Sequence, residues 1–350
     1  MNQRPDQSTA RPQISVAMAT YNGAKFLREQ LESIARQTLL PAEIVVTDDG
    51  STDTTLGILD NFAQTAPFPV RVFGNSSRLG YEDNFLKAAS LCASDWIAFC
   101  DQDDIWLETK LRICSQFFSD HNVVLVIHSA RTFMNGEELG QRYPDYRRTR
   151  AVGIGKFDPL ENRPGFAMLL RKDILQMVAS VQRPPSRYGH DARGWFFSVS
   201  VGGVATIADD LVIYRQHPTS VFGAPQKFVW RPDSSFGYLE YVKRSDDELE
   251  CAKLLRATAE NYPIWSQSLK QSARSLEHRS TLHRIRSRIY RKEATLPERI
   301  MASTQIIIRG GYLPDSSKTR LGPLAGLKDL IYGLTGRYKR WPRSISLSNK

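Results

Sequence analysis

Over its first 130 residues the chain alternates short apolar runs of strand length with stretches whose apolar residues recur at helical spacing. Residues 14–20 are apolar with small side chains and predict a strand, broken by Tyr21-Asn22-Gly23. Leu27, Leu31, Ile34 and Ala35 follow at helical spacing, and Pro41 closes that helix. Residues 43–47 predict a second strand. It runs into Asp48-Asp49-Gly50-Ser51-Thr52-Asp53, whose last three residues can cap a helix carrying Leu56, Leu59 and Phe62. A short strand over 70–73, a loop over 75–80 and a helix through Phe85, Leu86 and Ala89 come next. Residues 96–100, Trp-Ile-Ala-Phe-Cys, show no polar face, as in a parallel sheet covered on both sides. A helix over 107–119 and a strand over 123–129 continue the alternation. The pattern predicts an α/β fold with a mostly parallel central sheet and flanking helices.

Beyond residue 130 the pattern loosens. Residues 131–162 are polar and rich in Arg, Tyr and Gly, which fits either a mobile loop over a site or a plain insertion. Residues 164–170 are strand-like and 172–181 helical. Gly189-His190-Asp191 opens a helix to residue 201, and 204–208 and 211–215 predict closing strands. After residue 223 the character changes. Aromatic and basic residues mix over 227–244, a helical stretch covers 248–261, and a strongly basic run covers 274–292. Short apolar patches over 300–313 and 321–332 lie beside Arg and Lys. No internal repeat is visible.

Composition adds an electrostatic bias. With 41% hydrophobic and 24% charged residues the chain has the make-up of a soluble globular protein. Its 47 basic against 37 acidic side chains leave +10, which suits anionic partners without choosing among nucleotides, nucleic acid and anionic lipid. Cys92, Cys100, Cys114 and Cys251 lack CxxC spacing and read as reduced and buried, which fits a cytoplasmic protein. No apolar run approaches the roughly 20 residues needed to span a bilayer. Residues 1–12 are polar and contain proline, and they read as a disordered lead and not a signal peptide.

The candidate chemistry sits at strand ends. Asp101, Asp103 and Asp104 follow the strand over 96–100, and like charges this close raise one another's pKa unless a cation lies among them. Carboxylate oxygens are the hard ligands that Mg2+ or Mn2+ prefers. An acidic turn capping the next helix is the simpler reading, but ligands in open α/β sheets bind beyond the carboxyl ends of strands. Ala19, Thr20, Tyr21 and Asn22 end the first strand, and Asp48 and Asp49 the second. There a carboxylate can accept from a base or ribose and Tyr21 can pack on a base, although Asn-Gly and Asp-Gly are also ordinary turn dipeptides. Asp191 opens a helix beside His190, as a cap or as a base. Arg215 and His217 lie near a strand end, where they can meet phosphate or metal or serve structure alone. A metal-bound nucleoside diphosphate as leaving group, with a separate carboxylate as base, fits this inventory.

With those residues in view, the chain resembles a family-2 glycosyltransferase of the GT-A fold. The resemblance is carried, in order, by Val16–Gly23, Ile44–Asp53, the helix start near Asn84-Phe85, Phe99–Trp106, Gly189–Arg193 and Tyr214–His217, and it covers residues 13–223. The Asp-Gln-Asp-Asp and Arg-Gln-His forms resemble bacterial rhamnosyltransferase-like members of cell-surface polysaccharide pathways. The resemblance implies a nucleotide-sugar half to about residue 130, an acceptor half over 131–223 and a basic, mainly helical region over 224–350. It implies a nucleotide held by Ala19, Thr20, Tyr21, Asn22, Asp48, Asp49, Asn84, Asp101 and Gln102, with Asp49 meeting the pyrimidine. Asp101, Asp103 and His217 would hold Mg2+ or Mn2+, and Asp191 would act as general base in a single inverting displacement. Asp104, Trp106, His190 and Arg215 are further candidates. The segment 183–189 departs from the pattern, so acceptor contacts there are not carried over.

The implied donor is a dTDP- or UDP-sugar and the implied acceptor a saccharide or lipid-linked hydroxyl. Transfer would occur in the cytoplasm at the inner face of the membrane, with the basic C-terminal region resting on anionic lipid. A sugar-phosphate nucleotidyltransferase is the first alternative, but it would want a glycine-rich basic loop where Tyr21-Asn22-Gly23-Ala24 stands. A nucleic-acid-binding protein would want its basic residues clustered with aromatics on one face, yet the strand ends here are acidic.

Overall fold

Residues 12–134, 136–181, 189–217, 234–313 and 321–335 are described in the computed structural model. The expected lead, apart from Pro12, and residues 183–188 of the atypical segment lie outside them. The chain divides into two units, Met1–Gln226 and Lys227–Lys350.

The first unit opens with β1 (Ile14–Thr20), α1 (Ala24–Ala35), β2 (Glu43–Asp48), α2 (Thr55–Thr65), β3 (Val70–Gly74), α3 (Tyr81–Leu91) and β4 (Trp96–Cys100). β2 and β4 are buried at every position, which is why β4 shows no polar face in sequence. α1 buries Leu27, Leu31 and Ile34, one stripe of its surface, against the sheet. The chain continues with β5 (Ile105–Trp106), α4 (Lys110–Ser115), β6 (Val123–Met134), β7 (Glu137–Arg142), β8 (Arg150–Val152), β9 (Met168–Arg171), α5 (Lys172–Ser180), α6 (His190–Val201) and β10 (Gly203–Gln216). The sheet order is β3-β2-β1-β4-β9-β6-β10-β5, with β7 on β6 and β8 on β10. β3, β2, β1 and β4 are mutually parallel, as are β6 and β10, while β9 runs antiparallel between the two sets.

Several boundaries differ from the sequence pattern. The helix expected over 107–119 shrinks to α4, because residues 105–107 are held in the sheet. Ile105 and Trp106 pair with Ile213 and Val212, and the Leu107 amide donates to the Leu211 carbonyl at 3.0 Å. The two closing strands are one strand, β10, with register shifts against β6 on either side of Asp210. Residues 131–162 are neither wholly loop nor plain insertion: β6 runs on to Met134, and β7 and β8 extend the sheet.

The second unit is helical: α7 (Ser234–Asn261), α8 (Ser266–Ile289), α9 (Leu296–Ile308) and α10 (Pro323–Thr335). Its core gathers Tyr241, Leu282, Ile285, Ile289, Tyr290, Ala302, Ile306 and Tyr332. At its centre the fully buried Asp329 accepts from Arg286 Nε at 2.9 Å and from the Tyr290 and Tyr312 hydroxyls at 2.8 and 2.7 Å. Removing one partner of a buried pair leaves the other charge uncompensated. Asp329→Ala is therefore expected to destabilise this unit by about 3–5 kcal/mol in denaturant unfolding. A loss within about 0.5 kcal/mol, the range of surface changes, would contradict that account.

Candidate active site

Parallel pairing of β1 with β2 and β4 brings three strand ends to one edge of the sheet. Asp48 spends its carboxylate on the turn there. Oδ1 accepts from the Gly50 and Ser51 amides at 3.1 and 2.8 Å, and Oδ2 from the Thr20 and Ser51 hydroxyls at 2.8 and 2.6 Å. Asn22 takes a left-handed φ of 47°, which Asn tolerates, and its Oδ1 accepts from the Thr52 amide at 2.8 Å. Both residues build the turn.

Asp49 holds the next loop. Its Oδ1 accepts from the Leu79 amide at 2.6 Å and Asn75 Nδ2 at 2.9 Å, and its Oδ2 from the Gly80 amide at 2.8 Å. Burial pushes this carboxyl up, but those bonds, with Arg78 nearby, leave it below the usual range. The Arg78 guanidinium lies 3.9 Å over the Tyr21 ring. Asn84 ties the β1 and β2 ends together, donating to the Thr47 carbonyl at 2.9 Å and the Thr20 carbonyl at 3.4 Å. Gln102 clamps Tyr21 from the other side: its Oε1 accepts from the Tyr21 amide at 3.0 Å and its Nε2 donates to the Tyr21 carbonyl at 3.1 Å.

The three carboxylates after β4 are compensated unequally. Asp104 is fully buried, and its Oδ1 accepts from the Arg215 amide at 3.1 Å. Burial, with Asp103 and Asp101 beside it, raises its pKa well above the usual range. Asp103 Oδ2 lies 2.9 Å from His217 Nε2. Asp101 has no side-chain hydrogen bond among the described residues, and its carboxyl is pushed up to about 8 by burial first, then by Asp103 and Asp191. The cation behind them is Lys110, fully buried, 3.6 Å over the Trp106 ring and donating to the Phe166 carbonyl at 2.7 Å. Burial brings its pKa down to about 8. Trp106 is a buried platform for that lysine.

These walls enclose a cavity of about 1080 Å3. Ala19, Thr20, Tyr21, Asp49, Asn84, Asp101, Gln102, Asp103, His190, Asp191 and Arg215 line it. Asn22, Asp48, Asp104, Trp106 and His217 are not among its lining residues. Asp191 enters from the first turn of α6, only 7% exposed, with Oδ1 accepting from the Ala192 amide at 2.7 Å. Gly189 makes room for it, since a Cβ there would lie 2.8 Å from Asp191 Oδ1. His190 stacks on Phe85 with centroids 4.2 Å apart and meets the edge of Phe99 at 4.8 Å. Neither of its ring nitrogens has a hydrogen-bonding partner among the described residues.

The donor set suits a cation that keeps substrate ligands. No group of three or more His, Cys, Asp or Glu side chains is spaced to enclose an ion among the described residues. Asp101 and Asp103 both line the cavity, and Mg2+ is commonly held by one or two carboxylates plus substrate phosphates. Sequence reasoning missed Arg78, Tyr81, Thr132, Tyr143 and Phe166 and quoted Phe85 and Tyr214 only within motifs, yet all of these line the cavity. Thr132 and Tyr214 lie in the C-terminal parts of β6 and β10, the position where ligands gather; the remaining residues carry no such signal.

Comparison with known proteins gives a consistent placement. Residues 15–178 match the model of glycosyl transferase family 2. An uncharacterized glycosyltransferase of Nostoc is 25% identical over 211 residues, covering 58% of this chain and 65% of that protein. A dTDP-rhamnosyl transferase of Shigella flexneri is 38% identical over 99 residues, 27% of this chain and 34% of that one. The crystal structure of S. aureus TarS residues 1–349 with UDP-GlcNAc superposes with a TM-score of 0.52 at 16% identity, covering 94% of this chain and 93% of that one. That likeness shows a shared GT-A-type fold.

A Cβ on Gly23 would lie 2.2 Å from Gln102 Oε1. Gly23→Ala is therefore expected to expel the Gln102 amide from Tyr21 and cost about 1–3 kcal/mol of stability, read from the denaturation midpoint. An unchanged midpoint would show that the clamp is not needed to hold the first loop.

Proposed function

We propose that this chain, whose residues 15–178 match the model of glycosyl transferase family 2, transfers a sugar from a nucleoside diphosphate to an acceptor hydroxyl with inversion at the anomeric carbon. The observation that carries this reading is one cavity lined by both the carboxylates after β4 and Asp191 at the start of α6. The dTDP-rhamnosyl transferase relative favours a dTDP-linked rhamnose or a similar sugar, with a UDP-sugar as the alternative donor. The acceptor is a saccharide or lipid-linked hydroxyl of a cell-surface polysaccharide.

In this reading Ala19 and Tyr21 floor the base. A carboxylate offers about four acceptor positions. Asp49 already spends three on the 75–80 loop, so at most one is left for a pyrimidine N–H. Asn84 and Gln102 act mainly by fixing the strand ends. Asp101 and Asp103 would hold Mg2+ or Mn2+ at the diphosphate, with His217 orienting Asp103. Bound there, the cation would neutralise charge on the departing diphosphate. Asp191 takes the proton of the acceptor hydroxyl, whose oxygen bonds to the anomeric carbon as the bond to the diphosphate oxygen breaks on the opposite face.

One feature supports Asp191 as the base: it faces the cavity although almost buried. Asp191→Asn is expected to lower turnover by about a hundredfold to ten-thousandfold while leaving nucleoside diphosphate affinity nearly unchanged. Transfer of a radiolabelled sugar and calorimetric binding read the two effects separately. Near-normal turnover by the variant would overturn the assignment.

A further inference from the structure

The charge of the two units differs in kind. Residues 227–350 carry 24 Lys and Arg against 12 Asp and Glu, whereas residues 1–226 carry 23 against 25. The whole positive excess of the chain therefore belongs to the helical unit.

The last two helices of that unit also expose an unusual number of large apolar side chains. A helix on a water-soluble core normally turns its apolar stripe inward and its polar residues outward. In α9 the inward side is Ala302 and Ile306, and Leu296, Ile300, Met301, Ile307 and Ile308 are exposed beside Glu298 and Thr304. Leu296, Ile300 and Ile307 fall on one line at 3.6 residues per turn, and Met301 and Ile308 on a second about 100° round the helix. Ile307 is 62% exposed and Ile308 76%. α10 buries its aspartate, Asp329, and Tyr332, while Leu324 stands 80% exposed with Leu327 and Leu330 on the same outer side. Two neighbouring helices thus send leucine and isoleucine into solvent, more than isolated surface apolar residues would explain.

Basic groups border this apolar surface. Exposed Arg309 follows directly on α9. A cavity of about 250 Å3 is lined by Arg288 and Arg291 together with Met301, one of the exposed apolar residues. Glu298 also lines it and pairs with Arg291 at 3.3 Å. In the sequence alone, residues 336–350 carry five Lys and Arg and no acidic residue.

We infer that the outer faces of α9 and α10 insert into the interfacial layer of an anionic membrane, with Arg288 and Arg291 taking a lipid phosphate at the edge. Apolar side chains at the headgroup boundary with flanking bases are the arrangement of an interfacial helix. Charge decides between occupants. A second copy would bring the same positive unit against this one, whereas an anionic leaflet complements it. The segment 336–350 is itself basic and would be repelled. The contact inferred is peripheral, and no helix among the described residues is long and apolar enough to cross a membrane. This inference stands apart from the donor chemistry proposed above.

Co-flotation of the full chain with vesicles tests it, using phosphatidylcholine alone and phosphatidylcholine mixed with phosphatidylglycerol. The wild type is expected to float with the anionic vesicles at least about tenfold more than with the neutral ones, and less in high salt. Ile307→Asp combined with Ile308→Asp should lower flotation about tenfold, and Leu324→Asp combined with Leu327→Asp should do the same. Both pairs are exposed, so circular dichroism and nucleoside diphosphate binding should match the wild type. Flotation of both variants equal to wild type, or no flotation of the wild type, would overturn the inference. So would light scattering that shows a dimer split by the Ile307 and Ile308 changes. Loss of diphosphate binding in every protein, with flotation intact, would count against the donor reading alone.

Discussion

Carboxylates packed at the buried end of a strand repel one another, and the first unit is arranged around that constraint. Asp104 is met by the Arg215 backbone, Asp103 by His217, and Lys110 lies beneath them on Trp106. β5 and the short α4 exist where they do because this cluster is closed against β10, with Ile105 and Trp106 paired to it. Asp101 is left without a side-chain partner among the described residues, its carboxyl pushed upward by burial and by its acidic neighbours. In the proposed reaction, a cation bound with the diphosphate would supply the positive charge that this carboxylate lacks.

The N-terminal half was legible because its signals are local. Strands buried on both faces leave continuous apolar runs, and residues at the ends of parallel strands meet whatever the details of the loops. Roles within that edge were less legible. Asp48 and Asp49 are adjacent and chemically identical, yet one closes a turn and the other faces the cavity. The difference lies in donors from residues 79 and 80, loop amides that no pattern of side chains reveals. Arg78 over Tyr21 was invisible for the same reason. The direction of β9 and the fusion of the two closing strands into β10 depend on pairing between distant segments, which periodicity does not report.

The helical unit shows the opposite limit. Its apolar patches stood out in sequence, and helical spacing alone would turn them toward a core. The structure turns Asp329, locked to Arg286 and two tyrosines, inward, and sends the leucines of α10 outward. A periodic pattern fixes which residues share a face. It does not fix whether that face meets protein, water or lipid.

The proposed chemistry requires the edge formed by β1, β2 and β4 to be a nucleoside diphosphate site. Calorimetric titration of dTDP, UDP and GDP, with and without Mn2+, into the wild type and Asp103→Asn tests this most directly. One diphosphate is expected to bind, to require Mn2+, and to lose about tenfold or more in affinity when Asp103 is replaced. Absence of binding under every condition, or binding indifferent to both the metal and Asp103, would contradict it.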